Sequence, residues 1–209
     1  MLFIHRSIGH HLLEYGNLRS LLNADNVSLD DYDNNNGVLT LNDGKTKSGT
    51  ITMPGNNTNP DNLADFFAAW PTILNDYDLI MIKSCYPNSH IKDPDQLKTI
   101  QDSYKSIFTD FKKHDKRLLV LTTPPLRPLF TNAPEAHLAN TLADWLVGQA
   151  AANNMLVFDL HHQYAETTGK HEGMLKSSYR RLLPWDNHPN RKAHKAAAPQ
   201  IAKLIAEAY

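Results

Sequence analysis

Met1-Leu-Phe-Ile-His-Arg-Ser-Ile-Gly-His10 opens the chain, and the reading of these ten residues decides the architecture. Leu2, Phe3 and Ile4 form an apolar run without helical period, as expected of a short buried strand. His5-Arg6-Ser7 ends the run with polar side chains, and an amphipathic stretch begins near Leu12. Strand, turn and helix thus follow one another. In an open parallel sheet the ligand crevice lies beyond the carboxyl ends of the strands, so Ser7 stands where chemistry can occur. Two roles are open to it at this point: a nucleophile, or a cap for the next helix.

Further strands and helices alternate along the chain. Leu79-Ile-Met-Ile82 and Leu118-Leu-Val-Leu121 are continuous apolar runs suited to strands covered on both faces, and Met155 to Leu160 is expected to supply a last strand. Helical spacing is expected over Leu12 to Leu22, Pro60 to Trp70, Pro94 to Lys113, Glu135 to Asn153 and Lys192 to Ala208. The alternation argues for α/β architecture, a mostly parallel sheet with helices on both faces in one flavodoxin-like domain spanning 1–209. Asp30 to Asn62 is read as a long polar excursion rich in Asp, Asn and Gly, containing a short Val38 to Leu41 strand, the Asn42-Asp-Gly44 turn and Thr50 to Met53. A loop of that length is either functional or a solvated surface segment.

Composition narrows the function classes. In 209 residues, 21 Lys+Arg balance 22 Asp+Glu, which speaks against a nucleic-acid-binding surface. The single cysteine, Cys85, excludes an intramolecular disulfide and a cysteine-rich zinc site and fits a reducing compartment. No stretch has the roughly 20 apolar residues of a membrane span, and the N-terminus as given lacks a basic region followed by an apolar core of signal-peptide length, so a cytoplasmic location and no membrane partner are expected of the chain as given, which a chain with its leader removed would equally suggest. Eleven histidines raise the question of a metal, but His10-His11 and His161-His162 are adjacent pairs whose rings diverge on a regular element. No metal or other cofactor is expected; a hydrolase using His10, His11 or His161 as metal ligands is kept as an alternative.

Four loops are brought to one sheet edge by this architecture: Ser7, Gly55-Asn-Asn-Thr58, Ser84 to Asn88, and Asp186-Asn-His188. A serine hydroxyl needs a base to take its proton, imidazole is suited to that exchange, and a carboxylate fixes the imidazole tautomer. The tetrahedral oxyanion needs donors, for which the backbone N–H groups at Ser7 and near Gly55 and the Asn88 amide are candidates.

These blocks resemble the SGNH hydrolase superfamily, the GDSL-type esterases and lipases, over nearly the whole chain. Phe3-Ile-His-Arg-Ser7 matches the nucleophile block, Gly55-Asn-Asn-Thr58, with Gly55 and Asn57, the glycine block, Lys83 to Asn88 the asparagine block, and Asp186-Asn-His-Pro-Asn190 the acid–base block. Thr122-Thr-Pro-Pro-Leu126 is similar to a strand end that many members carry. The resemblance implies a serine esterase with Ser7 as nucleophile, His188 as base and Asp186 as acid, acting on a small acyl group of a carbohydrate or similar polar alcohol. The carbohydrate rests on the Asn-rich polar loop and the lack of an apolar lid. A non-catalytic binding or structural protein on the same fold is the alternative.

Three departures from the family pattern set questions for the structure. His5-Arg6 stands in place of Gly-Asp before the serine, so a cation adjoins the nucleophile position. Its partner is expected to be Asp31, Asp33 or Asp186; if Arg6 points free into the pocket instead, it would anchor an acidic substrate. Asn88 lies in Cys85-Tyr-Pro-Asn88 rather than Gly-x-Asn-Asp, leaving Ser84 and Ser89 as other polar candidates. Asp186 precedes His188 by two positions, where the family acid precedes by three and this chain has Trp185. Either Asp186 orients the imidazole from the shorter spacing, or Ser7 and His188 act as a dyad. The Ser7 hydroxyl is expected within hydrogen-bond reach of His188.

Overall fold

A computed structural model describes residues 1–49, 58–69, 73–84 and 86–209. One seven-stranded sheet, ordered β4-β3-β2-β1-β5-β6-β7, runs through the molecule. Its strands are β1 Leu2–His5, β2 Asp30–Asp33, β3 Val38–Thr40, β4 Thr46–Ser48, β5 Leu79–Lys83, β6 Arg117–Leu121 and β7 Leu156–Phe158. β2, β1, β5, β6 and β7 pair in parallel, while β3 and β4 add an antiparallel hairpin at one edge. The expected mostly parallel α/β/α architecture is therefore present.

Strand side chains alternate between two helical layers because successive Cβ atoms point to opposite faces. Leu2, Ile4, Ile80, Ile82, Leu118 and Val120 face α3 (Pro60–Ala69), α5 (Pro94–Lys113) and α6 (Ala133–Asn153). Phe3, Met81, Leu119 and Leu121 face α1 (Ile8–Glu14), α2 (Leu18–Ala24), α7 (Leu160–Tyr164) and α8 (Arg191–Ala206). Burial of both strand faces explains why these strands read as continuous apolar runs. No helix of the described residues is long and apolar enough to cross a membrane.

Two segments differ from the sequence reading. The helix expected over Leu12 to Leu22 is two helices, broken where Asn17 adopts a left-handed conformation at φ 57°. The break lets the chain turn onto α8, and Gly16 is required there, since a Cβ would lie 2.5 Å from the Leu12 carbonyl oxygen and 2.6 Å from Ala198 Cβ. The polar excursion after Asp30 supplies three strands. β2 was hidden because aspartate, three of the four residues of Asp-Asp-Tyr-Asp, is depleted in strands; its buried Asp31 is hydrogen-bonded to His5 Nε2 at 3.0 Å and paired with the Arg19 guanidinium. Thr50 to Met53 lies outside the described residues, as does Trp70, the expected end of the helix from Pro60.

Met155 to Leu160 contains β7 and then turns at once into α7, which the sequence reading left as part of a strand and a polar run. Asp159 caps α7 by accepting from His162 N at 3.1 Å, and Thr122 Oγ1 donates to the same carboxylate at 3.1 Å. His161 is then buried, its Nδ1 donating to the Thr123 carbonyl at 3.1 Å. His194 on α8 is likewise buried and donates from Nε2 to the Pro189 carbonyl at 3.2 Å.

Burial pushes both imidazoles down to about 4, against the raising effect of those carbonyl contacts. Because the folded pKa values are depressed, the unfolded chain takes up the protons first, and stability falls as pH drops from about 6.5 toward 4. Each ring is expected to account for at most about 3 kcal/mol of that loss. Urea unfolding at pH 7 and pH 4.5 should show the decline, and His161→Gln or His194→Gln should flatten it.

Candidate active site

The turn after β1 places Ser7 at the head of α1. Its backbone lies at φ 35°, ψ −83°, in the positive-φ region that a non-glycine residue enters at a cost of about 1–3 kcal/mol. Its side chain makes no capping hydrogen bond to α1, so the capping role is not the one it has. Gly9 permits the tight turn: a Cβ there would stand 2.2 Å from His5 Cβ. Ser7 is partly exposed and lines a cavity of about 580 Å³ together with His11, Arg181, Leu183, Trp185, Asp186, Asn187 and His188. The two ends of the chain therefore meet, as the parallel topology requires.

The short Asp-x-His spacing closes on itself. Asp186 Oδ1 accepts from both the His188 backbone N–H at 2.9 Å and the ring Nδ1–H at 2.7 Å. The first bond turns the backbone so that the second can form, and the carboxylate reaches the imidazole from two residues away. Trp185, in the position of the family acid, is largely exposed at the cavity wall.

Asp186 Oδ2 is held by Arg181 Nη1 at 3.0 Å, and Arg181 Nη2 lies 3.2 Å from His11 Nε2 and 3.3 Å from its Nδ1. Arg181 Nε donates to the Pro189 carbonyl at 3.2 Å. A second arginine fixes the loop from behind: Arg127 Nη1 donates to the carbonyls of Leu183 at 2.5 Å and Asp186 at 2.9 Å, and its backbone N–H donates to Asn187 Oδ1 at 3.1 Å. Neither arginine was singled out in the sequence. Arg127 directly follows the Thr-Thr-Pro-Pro-Leu strand end, and Arg181 sits five residues before Asp186; only their charge in an otherwise balanced chain hinted at a role.

Electrostatics favour neutral imidazoles in this site. Burial lowers the His188 pKa, the Asp186 carboxylate opposes that, and the Arg181 and Lys83 cations add to the lowering. His11 is pushed down to about 3 by burial, with His194, Arg181 and His188 contributing. Its ring meets the His188 ring edge-on at a centroid distance of 5.6 Å. Burial would raise the Asp186 pKa, but the hydrogen bonds from His188 and the Arg181 charge outweigh it and hold the carboxyl below the usual carboxylate range.

Other expected residues fall as follows. Among the described residues no hydrogen bond joins the Ser7 hydroxyl to His188, so the contact expected from the sequence is absent here although both line one cavity. Arg6 does not pair with the carboxylates expected for it; Nε donates to Asn35 Oδ1 at 2.5 Å. Those carboxylates are already occupied, Asp31 by His5 and Arg19, Asp33 by the Asn35 backbone and the Asn36 amide, and Asp186 by His188 and Arg181. Asn88 is buried on a 3-10 turn, Tyr86–Ser89, with its Nδ2 lacking a hydrogen-bond partner among the described residues. Ser84 is taken by Tyr104 and Ser89 by the Pro124 carbonyl, which removes both as the alternative polar group. Gly55 and Asn57 lie outside the described residues; Thr58, the last of that block, donates to the Lys83 carbonyl at 2.8 Å and so ties it to the end of β5.

The histidines of the metal alternative are dispersed. His10 is exposed and pairs with Glu14 at 3.5 Å, His11 contacts Arg181, and His161 is buried against Thr123. No group of three or more His, Cys, Asp or Glu side chains among the described residues is arranged to hold a metal ion. A separate cavity of about 340 Å³, lined by residues including His137, Lys170 and Glu172, contains no serine or cysteine.

No family model and no curated protein matches the sequence. Solved structures do match. A structure described as "a putative acylhydrolase" from Bacteroides fragilis NCTC 9343 shares 14% identity at a TM-score of 0.60, covering 98% of this chain and 86% of its own. A GDSL-like lipase from Bacteroides thetaiotaomicron VPI-5482 shares 12% at 0.60, covering 98% and 87%. The acetyl xylan esterase AlAXEase shares 13% at 0.55, covering 99% and 98%. The protein has an SGNH hydrolase-like fold.

The Arg181 contact makes a prediction independent of activity. Replacing Arg181 with Met removes a cation from beside the imidazole and frees one carboxylate oxygen, so the His188 pKa should rise, read from its ring NMR resonances. Arg181→Lys should give an intermediate value.

Proposed function

We propose that this chain is a serine esterase in which Ser7 attacks the acyl carbon, His188 takes and returns the proton, and Asp186 holds the ring. The observation that carries the reading is the 2.7 Å Asp186–His188 bond facing a cavity that Ser7 also lines. With Nδ1–H donated to the carboxylate, Nε2 is the ring nitrogen we assign as base, and burial lowers its pKa. Ser7 and His188 line one cavity, and contacts between a nucleophile and its base are often loose before substrate arrives.

The attack forms a tetrahedral intermediate whose oxyanion takes donors from the Ser7 backbone N–H, the Asn88 amide and the Gly55 segment, each worth about 3 kcal/mol when preorganised. The unpartnered Asn88 Nδ2 supports that role, because a buried amide otherwise costs stability. Collapse expels the alcohol, which takes the proton from His188, and water repeats the cycle on the acyl-enzyme. For the substrate we favour a small acyl group on a carbohydrate: the acetyl xylan esterase among the similar structures and the polar Asn34 to Asn62 segment support it. The absent Ser7–His188 bond is the observation that favours the second reading, a binding protein on the same fold.

Hydrolysis of p-nitrophenyl acetate separates the two. Ser7→Ala and His188→Ala should each lower kcat by several orders of magnitude, with the double variant little worse than either. Asp186→Asn should cost at least about 100-fold in kcat with little change in KM. Near wild-type turnover in purified Ser7→Ala would overturn the esterase assignment. Because the base is a neutral imidazole of lowered pKa, kcat/KM should rise with pH to a plateau whose midpoint lies below about 6.5.

A further inference from the structure

A second cavity of about 470 Å³ adjoins the first and shares Arg181, Leu183 and Asp186 with it. Its remaining walls are Tyr15, Arg180, Leu182, Asn190 and Arg191. Three guanidinium groups thus line one hollow, in a chain whose formal net charge is only −1. Among the described residues, no carboxylate lies within ion-pairing distance of Arg180 or Arg191. Asp186, the acidic residue in the wall, is already bonded to His188 and Arg181.

Both free cations are also oriented. Arg180 Nε donates to the Leu175 carbonyl at 2.9 Å, which holds the side chain in place and leaves its terminal nitrogens as donors. The Arg191 guanidinium stacks 4.5 Å above the Tyr15 ring, fixing its plane at the start of α8. Beside them Leu182 is fully exposed and Leu183 half exposed, a flat apolar surface next to the charge. Guanidinium groups with free N–H pairs match a planar carboxylate, and the leucines match the C–H face of a ring.

We propose that this hollow is an anion subsite, which holds the carboxylate of a uronate-type sugar while that sugar's ester lies at Ser7. The proposal rests on the esterase reading for the placement of the ester, but the subsite itself is a binding claim about Arg180 and Arg191. It makes the alcohol portion of the substrate an acidic sugar rather than a neutral one. Arg181, committed to Asp186, contributes field rather than a free fork.

The test compares acetate release from a mono-acetylated methyl glucuronoside, its uronamide and the matching mono-acetylated methyl glucoside. The glucuronoside should have the higher kcat/KM by about tenfold at low salt, and the gap should shrink as added salt screens it. Arg191→Ala should bring the three substrates close together, and Arg191→Glu should reverse the order. In parallel, calorimetry on Ser7→Ala should show tighter binding of the glucuronoside than of the glucoside, abolished by adding Arg191→Glu. Equal rates on all three substrates, or a preference unchanged in Arg191→Glu, would overturn the subsite while leaving the esterase standing. Selective binding without any turnover would retain the subsite and remove the esterase reading, and no selective binding to Ser7→Ala would remove the subsite directly.

Discussion

The Asp186 carboxylate has two oxygens, and the geometry of the whole site follows from how they are divided. Oδ1 closes a turn onto the backbone and ring of His188, while Oδ2 is taken by Arg181. If either oxygen were unclaimed the side chain would rotate, and an acid two residues before its histidine would have no reason to meet Nδ1. Arg127 completes the arrangement by gathering loop carbonyls that no regular element satisfies. Two arginines from different parts of the chain thus fix this loop.

Beneath this loop lies a layer that is unusually polar for a parallel α/β core. Lys83 is fully buried at the end of β5 with Nζ donating to the Ser84 carbonyl at 2.5 Å, and His5 is buried against Asp31. His11 and His194 pack between that layer and the site, their rings 5.3 Å apart. Burial, with the Lys83 and Arg181 charges adding to it, lowers the pKa of both His188 and His194. It also makes the fold sensitive to acid, because the same rings must charge when the chain opens.

The apolar loop tip has a different origin. Leu182, Leu183 and Trp185 are among the few large hydrophobic side chains left exposed, and they stand together at the rim shared by the two cavities. Scattered exposed leucines mean little, but a cluster at a cavity mouth is a contact surface in need of an occupant. The lack of an apolar lid, read from the sequence, misses this rim because four residues between arginines and an aspartate show no periodicity.

Much of the architecture was legible in the chain alone: the buried runs Leu2 to Ile4, Leu79 to Ile82 and Leu118 to Leu121 are strands, Pro94 to Lys113 is a helix to the residue, Ser7 follows the first strand, and Asp186-Asn-His188 lies in the loop before the last helix. These features are local, because apolar period and strand-end polarity are set by residues within a few positions of one another. What only the tertiary structure decided is pairing at a distance. In β2 the buried Asp31 is held by His5 and Arg19, Arg6 contacts Asn35 while the carboxylates expected for it are engaged elsewhere, and Asp186 meets His188 where Arg181 and Arg127 hold the loop. A charged residue's partner depends on which competing partners are already satisfied in three dimensions, and no spacing along the chain records that.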